Sequence, residues 1–296
     1  MVVGTWVTAR APRGWHELVA EVLGGGSGAA IEIQDEGEGR DAVLVKAWLP
    51  DTGGPVRARL RENLRETLLR TGVPGLEKVT LTFEEALLPE IRWPTRPIRV
   101  GALVLAPVST PGARARGLPV LVTAGGPSFG HGDHPTTRAC LFRLGSCVRN
   151  GDRVLDVGCG SGILGVGCLL LGAASVVGLD PDPLAEDHLR VLAARNGVTG
   201  RIELRKGELE ATALRGETYS GVVANIYADV LAKGASVLAR TLEPGGWLVA
   251  SGCAEARTAE VRAGLEEAGI HISGARTRRG FSTLHGMRKH GQGERQ

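Results

Sequence analysis

Two hydrophobic periods divide this chain. In the first part, apolar positions alternate or run unbroken over residues 5–9, 30–34, 42–48 and 78–83, which predicts four strands. Trp15, Leu18, Val19 and Val22 repeat at helical spacing before the glycines at 24–26, and residues 56–69 form a second amphipathic stretch. Strand, helix, strand, strand, helix, strand is the order of a ferredoxin-like split βαβ unit, assigned to residues 1–83. Pro89, Pro94 and Pro97 mark residues 84–101 as a linker to a second domain at 102–296. Strands are expected there at 100–107 and 120–123, around a polar turn at 111–117, and a helix from Pro135. The pattern then alternates strands at 153–157, 175–180, 202–205, 221–225 and 247–251 with helices at 163–171, 183–196, 229–240 and 256–268. Such alternation belongs to a parallel sheet covered on both faces. Residues 271–276 and 282–287 read as a closing antiparallel hairpin, and residues 242–246 as a turn before the strand at Trp247.

Composition narrows the class. Hydrophobic residues make up 43% and charged residues 23% of 296 positions, which excludes a disordered or fibrous chain. The net charge of +3 is small, with basic clusters only at Arg276–Arg279 and at Arg288 and Lys289, so no nucleic-acid partner is expected. Cys140, Cys147, Cys159, Cys168 and Cys253 form no C-x-x-C pair and have no histidine at ligand spacing. Neither zinc nor a disulfide framework is implied, and reduced thiols suit a cytoplasmic protein. No signal peptide or membrane span is legible, and a monomer is expected.

The run from Val154 to Gly162 reads Val-Leu-Asp-Val-Gly-Cys-Gly-Ser-Gly. A buried strand delivers Asp156, and Gly158, Gly160 and Gly162 let the backbone bend close to a ligand before a helix. The next strand ends at Asp180, where a carboxylate can accept from both ribose hydroxyls of an adenosine. Nicotinamide dinucleotides use a related cradle. Here an acid stands two residues ahead of the first glycine, which disfavours a pyrophosphate and suits the cationic tail and sulfonium of S-adenosylmethionine. The expected fold is therefore α/β: a seven-stranded Rossmann-like class I methyltransferase domain preceded by a small α+β ferredoxin-like domain. A nicotinamide-dependent oxidoreductase and a binding module without catalysis are the alternatives.

Asn225 ends the fourth strand of the second domain, where its amide oxygen could orient an acceptor amine or cap the next helix. Tyr227 lines an acceptor channel or packs. A second glycine-rich loop, from Ser128 to Thr137, carries His131, Asp133 and His134, with Pro135, Thr136 and Thr137 suited to a helix start. Candidate ligands crowded on one loop do not close a tetrahedral site, so no metal is expected. His134 or Asp133 could take a proton from an amine, as could water.

Phe129-Gly-His-Gly-Asp-His-Pro-Thr-Thr137, the Asp156–Ile163 bend, Gly178-Leu-Asp-Pro-Asp-Pro183 and Ala224-Asn-Ile226 together resemble the PrmA family, the methyltransferases of large-subunit ribosomal protein eleven. The resemblance spans nearly the whole chain, since that family also carries a small N-terminal substrate-recognition domain. It implies S-adenosylmethionine contacts at Thr137, Gly158, Asp180 and Asn225, and we add Phe129 of the lid, Asp156, Gly160 and Gly162. The implied reaction is methylation of lysine ε-amines and an N-terminal amine on a ribosomal protein; our own reading of the residues puts Asn225, His134 and Tyr227 on the acceptor side. The chain departs from the family at His131, Asp133 and Tyr227, at Ala124–Ser128 and in the linker. A different protein lysine, as in an electron-transfer flavoprotein, is the alternative substrate.

Overall fold

The computed structural model describes residues 3–12, 19, 30–35, 42–50, 80–87, 97–107, 117–123, 132, 134–182, 184–210, 214 and 216–290. Contacts divide the chain into Met1–Ile91 and Arg92–Gln296. In the first unit, strands β1 (Val3–Pro12), β2 (Ala30–Asp35), β3 (Ala42–Pro50) and β4 (Thr80–Leu87) form an antiparallel sheet in the order β2-β3-β1-β4. Val7, Ala9, Val43 and Val45 are buried while Arg10 is exposed, the period-two pattern of a sheet with one covered face. Strand β4 runs past Phe83 to Leu87, so the expected start of the linker at residue 84 falls inside a strand. The helix expected at 15–23 is described only at the buried Val19, and the one at 56–69 lies outside the described residues.

The second unit opens with β5 (Ile98–Val100), β6 (Leu103–Pro107) and β7 (Val120–Thr123). A single strand was expected over 100–107. Instead Gly101, at φ 61°, turns the chain so that β5 pairs antiparallel with β6, and β6 pairs parallel with β7. The side-chain amide of Asn196 bonds β7 like a further strand, accepting from Val122 N–H at 2.8 Å and donating to Val122 O at 2.9 Å.

The main sheet holds β8 (Arg153–Val157), β9 (Ser175–Asp180), β10 (Ile202–Lys206), β11 (Tyr219–Asn225), β12 (Leu242–Ala254), β13 (Ile270–Arg278) and β14 (Phe281–Arg288). Its order is β10-β9-β8-β11-β12-β14-β13. The first five run parallel, and β14 is antiparallel to both of its neighbours, so the closing hairpin inserts its last strand inward. The turn expected at 242–246 is part of β12. Its partner advances from Tyr219 to Gly221 while β12 advances from Leu242 to Trp247, so the extra residues bulge out of the ladder.

Helices α1 (Pro135–Cys147), α2 (Ile163–Leu170) and α3 (Leu184–Arg195) contribute to one apolar layer, with Val154, Val176, Val223 and Val249 of the sheet and Leu103 and Leu121 of the small sheet. Helices α4 (Ala228–Thr241) and α5 (Thr258–Glu267) cover the opposite face, against Leu155, Val177, Val222 and Leu248. Neighbouring residues of one strand thus serve opposite layers, the consequence of the strand period. Strand order reverses between β8 and β11, where open α/β sheets bind ligands at the carboxyl ends of the strands. Among the described residues no helix is long and apolar enough to cross a membrane.

Candidate active site

Asp156 lies beneath the glycine bend and is 1% exposed. Helix α2 starts after Gly162, which has no side chain to cap it; Ile163 N–H donates to Ser161 Oγ at 3.4 Å, and the amides beyond it need another acceptor. Asp156 Oδ2 takes that part, accepting from Gly165 N–H at 2.8 Å, while Oδ1 is buried without a hydrogen-bond partner. Burial pushes the carboxyl up to about 7, against the lowering effect of Gly165 N–H and with a further push from the Asp180 charge.

Asp180 ends β9 and fastens the bend from the side. Its Oδ2 accepts from Gly160 N–H at 2.8 Å and its Oδ1 from Asp182 N–H at 2.9 Å. Each oxygen of a carboxylate has a second lone pair, so these bonds leave acceptor capacity.

Asn225 ends β11, in register with Ser251, two positions beyond the Val223 that pairs with Asp156. Asp156 and Asn225 therefore face the same side of the sheet, on the strands that flank the switch point. Asn225 Nδ2 donates to Oγ1 of the buried Thr137 at 3.5 Å, and Asn225 Oδ1 is buried without a partner. Buried polar atoms in folded proteins are satisfied as a rule, so two orphaned oxygens on adjacent strands mark a place shaped for a ligand.

Helix α1 begins at Pro135, as its sequence predicts, with His134 as its N-cap. Asn225 does not cap the next helix; the N-cap of α4 is Tyr227, which is 37% exposed. Phe129, His131 and Asp133 lie outside the described residues.

Some of the geometry escapes a sequence reading. A Cβ on Gly158 would stand 2.3 Å from Ile226 Cγ2, and one on Gly252 would stand 2.4 Å from Ile226 O. Both glycines have positive φ, 64° and 93°, so two separate bends grip the residue that follows Asn225. Ser251, fully buried, donates to Ser282 O at 2.9 Å and pairs with Thr283 Oγ1 at 2.9 Å, stiffening the strand beside Asn225. Neither contact has a local signal, because each joins residues remote in sequence.

The family profile of ribosomal protein L11 methyltransferase (PrmA) matches residues 62–289. The chain belongs to the PrmA family. A ribosomal protein L11 methyltransferase of Symbiobacterium thermophilum is 37% identical over 251 residues, 83% of this chain and 81% of that one. One of Pelotomaculum thermopropionicum is 34% identical over 291 residues, 90% and 92% of the two chains. The crystal structure of a ribosomal protein L11 methylase from Lactobacillus delbrueckii subsp. bulgaricus superposes with a TM-score of 0.60 at 26% identity, over 66% of this chain and all of that one. The fold is that of an α/β methyltransferase with a large mixed sheet, and the nicotinamide alternative gives way to PrmA membership. S-adenosylmethionine is the methyl donor of this family. The residues present fit it, since a sulfonium nucleoside with an amino-acid tail offers hydrogen-bond donors and positive charge to the two orphaned oxygens and to Asp180.

Proposed function

We propose that the protein transfers methyl groups from S-adenosylmethionine to amines of ribosomal protein L11, at lysine side chains and the N-terminus. The PrmA profile and the L11 methyltransferase relatives support the acceptor protein, and the orphaned Asn225 Oδ1 carries the site reading. When bound, the cofactor supplies a methyl group on a positively charged sulfur.

The chain's own residues supply position. Gly158, Gly160 and Gly162 take the positive φ that the bend requires, Asp180 offers acceptors to ribose hydroxyls, and Asp156 lies beneath, holding the first turn of α2 through Gly165 N–H. Asn225 Oδ1 accepts an N–H of the incoming amine and so turns the nitrogen lone pair toward the methyl carbon; Thr137 holds the other end of the amide. A lysine amine, ordinarily protonated to a pKa of about 10.4, must lose a proton before it attacks, and a site of low polarity favours the neutral form. Tyr227, partly exposed at the start of α4, stands two residues beyond Asn225 and is assigned to the acceptor side. For the first unit, the antiparallel order β4-β1-β3-β2 supports a ferredoxin-like substrate-recognition domain that extends through β4 to Leu87, with the linker after it.

The test is Asn225→Ala with purified L11, read by mass spectrometry. The rate is expected to fall on the order of a hundredfold, with a much smaller change in affinity for S-adenosylhomocysteine. A variant that methylates L11 at the parent rate removes Asn225 from the mechanism. A parent that leaves L11 unmodified removes the acceptor.

A further inference from the structure

His134 has extended backbone, φ −66° and ψ 139°, and Pro135 occupies the first helical position, where a missing N–H costs nothing. The ring nitrogen Nδ1 accepts from Thr136 N–H at 3.4 Å and lies 2.7 Å from Thr136 Oγ1. A backbone N–H can only donate, so Nδ1 presents its lone pair to the helix, and the Thr136 hydroxyl donates to the same nitrogen. A neutral imidazole whose Nδ1 accepts carries its proton on Nε2. Neither nitrogen of that tautomer is then a ready base. Taking up a proton at Nδ1 would release the cap and set a positive charge against the positive end of a helix.

The ring plane is also held. Phe281, which pairs with Ala254 at the end of β12, meets it edge to face with centroids 5.3 Å apart and an interplanar angle of 69°. Immediately beyond Thr136 comes Thr137, whose hydroxyl accepts from Asn225 Nδ2.

We propose that His134 is a positioning residue for methyl transfer: it fastens the first turn of α1, so that Thr137 holds the Asn225 amide, and it takes no proton from the acceptor amine. The inference rests on the role proposed for Asn225.

Three variants separate positioning from proton transfer, since none of them introduces a base. Asparagine carries Oδ1 at the bonded position of Nδ1 and is a favoured N-cap; glutamine reaches toward the place of Nε2 without capping; alanine does neither. With S-adenosylmethionine and L11, kcat of His134→Asn is expected within about twofold of the parent, and His134→Ala and His134→Gln about tenfold below it. Large and equal losses in all three overturn the proposal, because a missing base is the defect that asparagine cannot repair.

Amide hydrogen exchange at Thr136 and Thr137 gives a readout that needs no acceptor. Protection is expected in the parent and His134→Asn and faster exchange in the other two; unchanged exchange in His134→Ala also overturns the proposal. A parent inactive on L11 sinks the substrate reading alone. The exchange pattern, with the variants' affinities for S-adenosylhomocysteine, then decides the positioning role.

Discussion

A carboxyl group buried with one oxygen unpartnered is an unfavourable place for a charge, and Asp156 accordingly keeps its proton up to about pH 7. An aspartate in the unfolded chain gives it up near 3.8. Between those values the native state holds a proton that the unfolded state has lost, so the stability contributed by this group is complete below about pH 4 and is lost as pH rises to about 7. Asp156→Asn keeps an acceptor for Gly165 N–H and removes the titration. Urea unfolding at pH 4.5 and 7.0 is expected to show the parent losing a few kcal/mol more than the variant across that interval. Parallel stability curves for the two proteins would mean that Asp156 titrates normally. Asp180 and Asn225 were legible beforehand because each ends a buried apolar strand, and Asp156 because it is the one acid within another. What each oxygen touches was not legible: the cap on α2 and the grip of Gly158 and Gly252 on Ile226 join segments that only the fold brings together.

At the level of elements, strands buried on both faces announce themselves as short apolar runs, and β8, β9 and β11 stand within a residue or two of their expected bounds. The misreadings arise where one long-range contact overrides the local pattern. Gly101 splits one expected strand into β5 and β6, and residues 243–246 stay in β12 as a bulge instead of closing a turn. Trp247 shows what holds that bulge in register. Its indole Nε1 donates to Asp152 Oδ2 at 2.8 Å, in a site where both residues are under a tenth exposed, and the same oxygen accepts from Arg149 N–H. That bond ties the residue before β8 to the first residue of β12 beyond the bulge. Trp247→Phe is expected to cost about 2–3 kcal/mol in urea unfolding, since a buried hydrogen bond to a charged group is lost and its acceptor is left short. A loss below about 0.5 kcal/mol would show that the bond adds nothing beyond packing.

For the whole molecule, the prolines at 89, 94 and 97 announce a division, and the contact boundary between Ile91 and Arg92 falls among them. The residues assigned to the cofactor all belong to Arg92–Gln296, whereas the order β2-β3-β1-β4 of Met1–Ile91 carries none of them. A ligand stabilises only what it binds in the native state, by about 2.7 kcal/mol at a free concentration one hundred times its Kd. Calorimetric melting of the intact chain is therefore expected to show two transitions, of which S-adenosylhomocysteine at that excess raises one by roughly 5–10 °C. The other should not move. Hydrogen exchange on the same sample assigns them, with added protection confined to Arg92–Gln296. A single transition that rises as a whole, with protection spreading into β1 and β4, would mean that the two units fold as one body and that the first unit contributes to holding the cofactor.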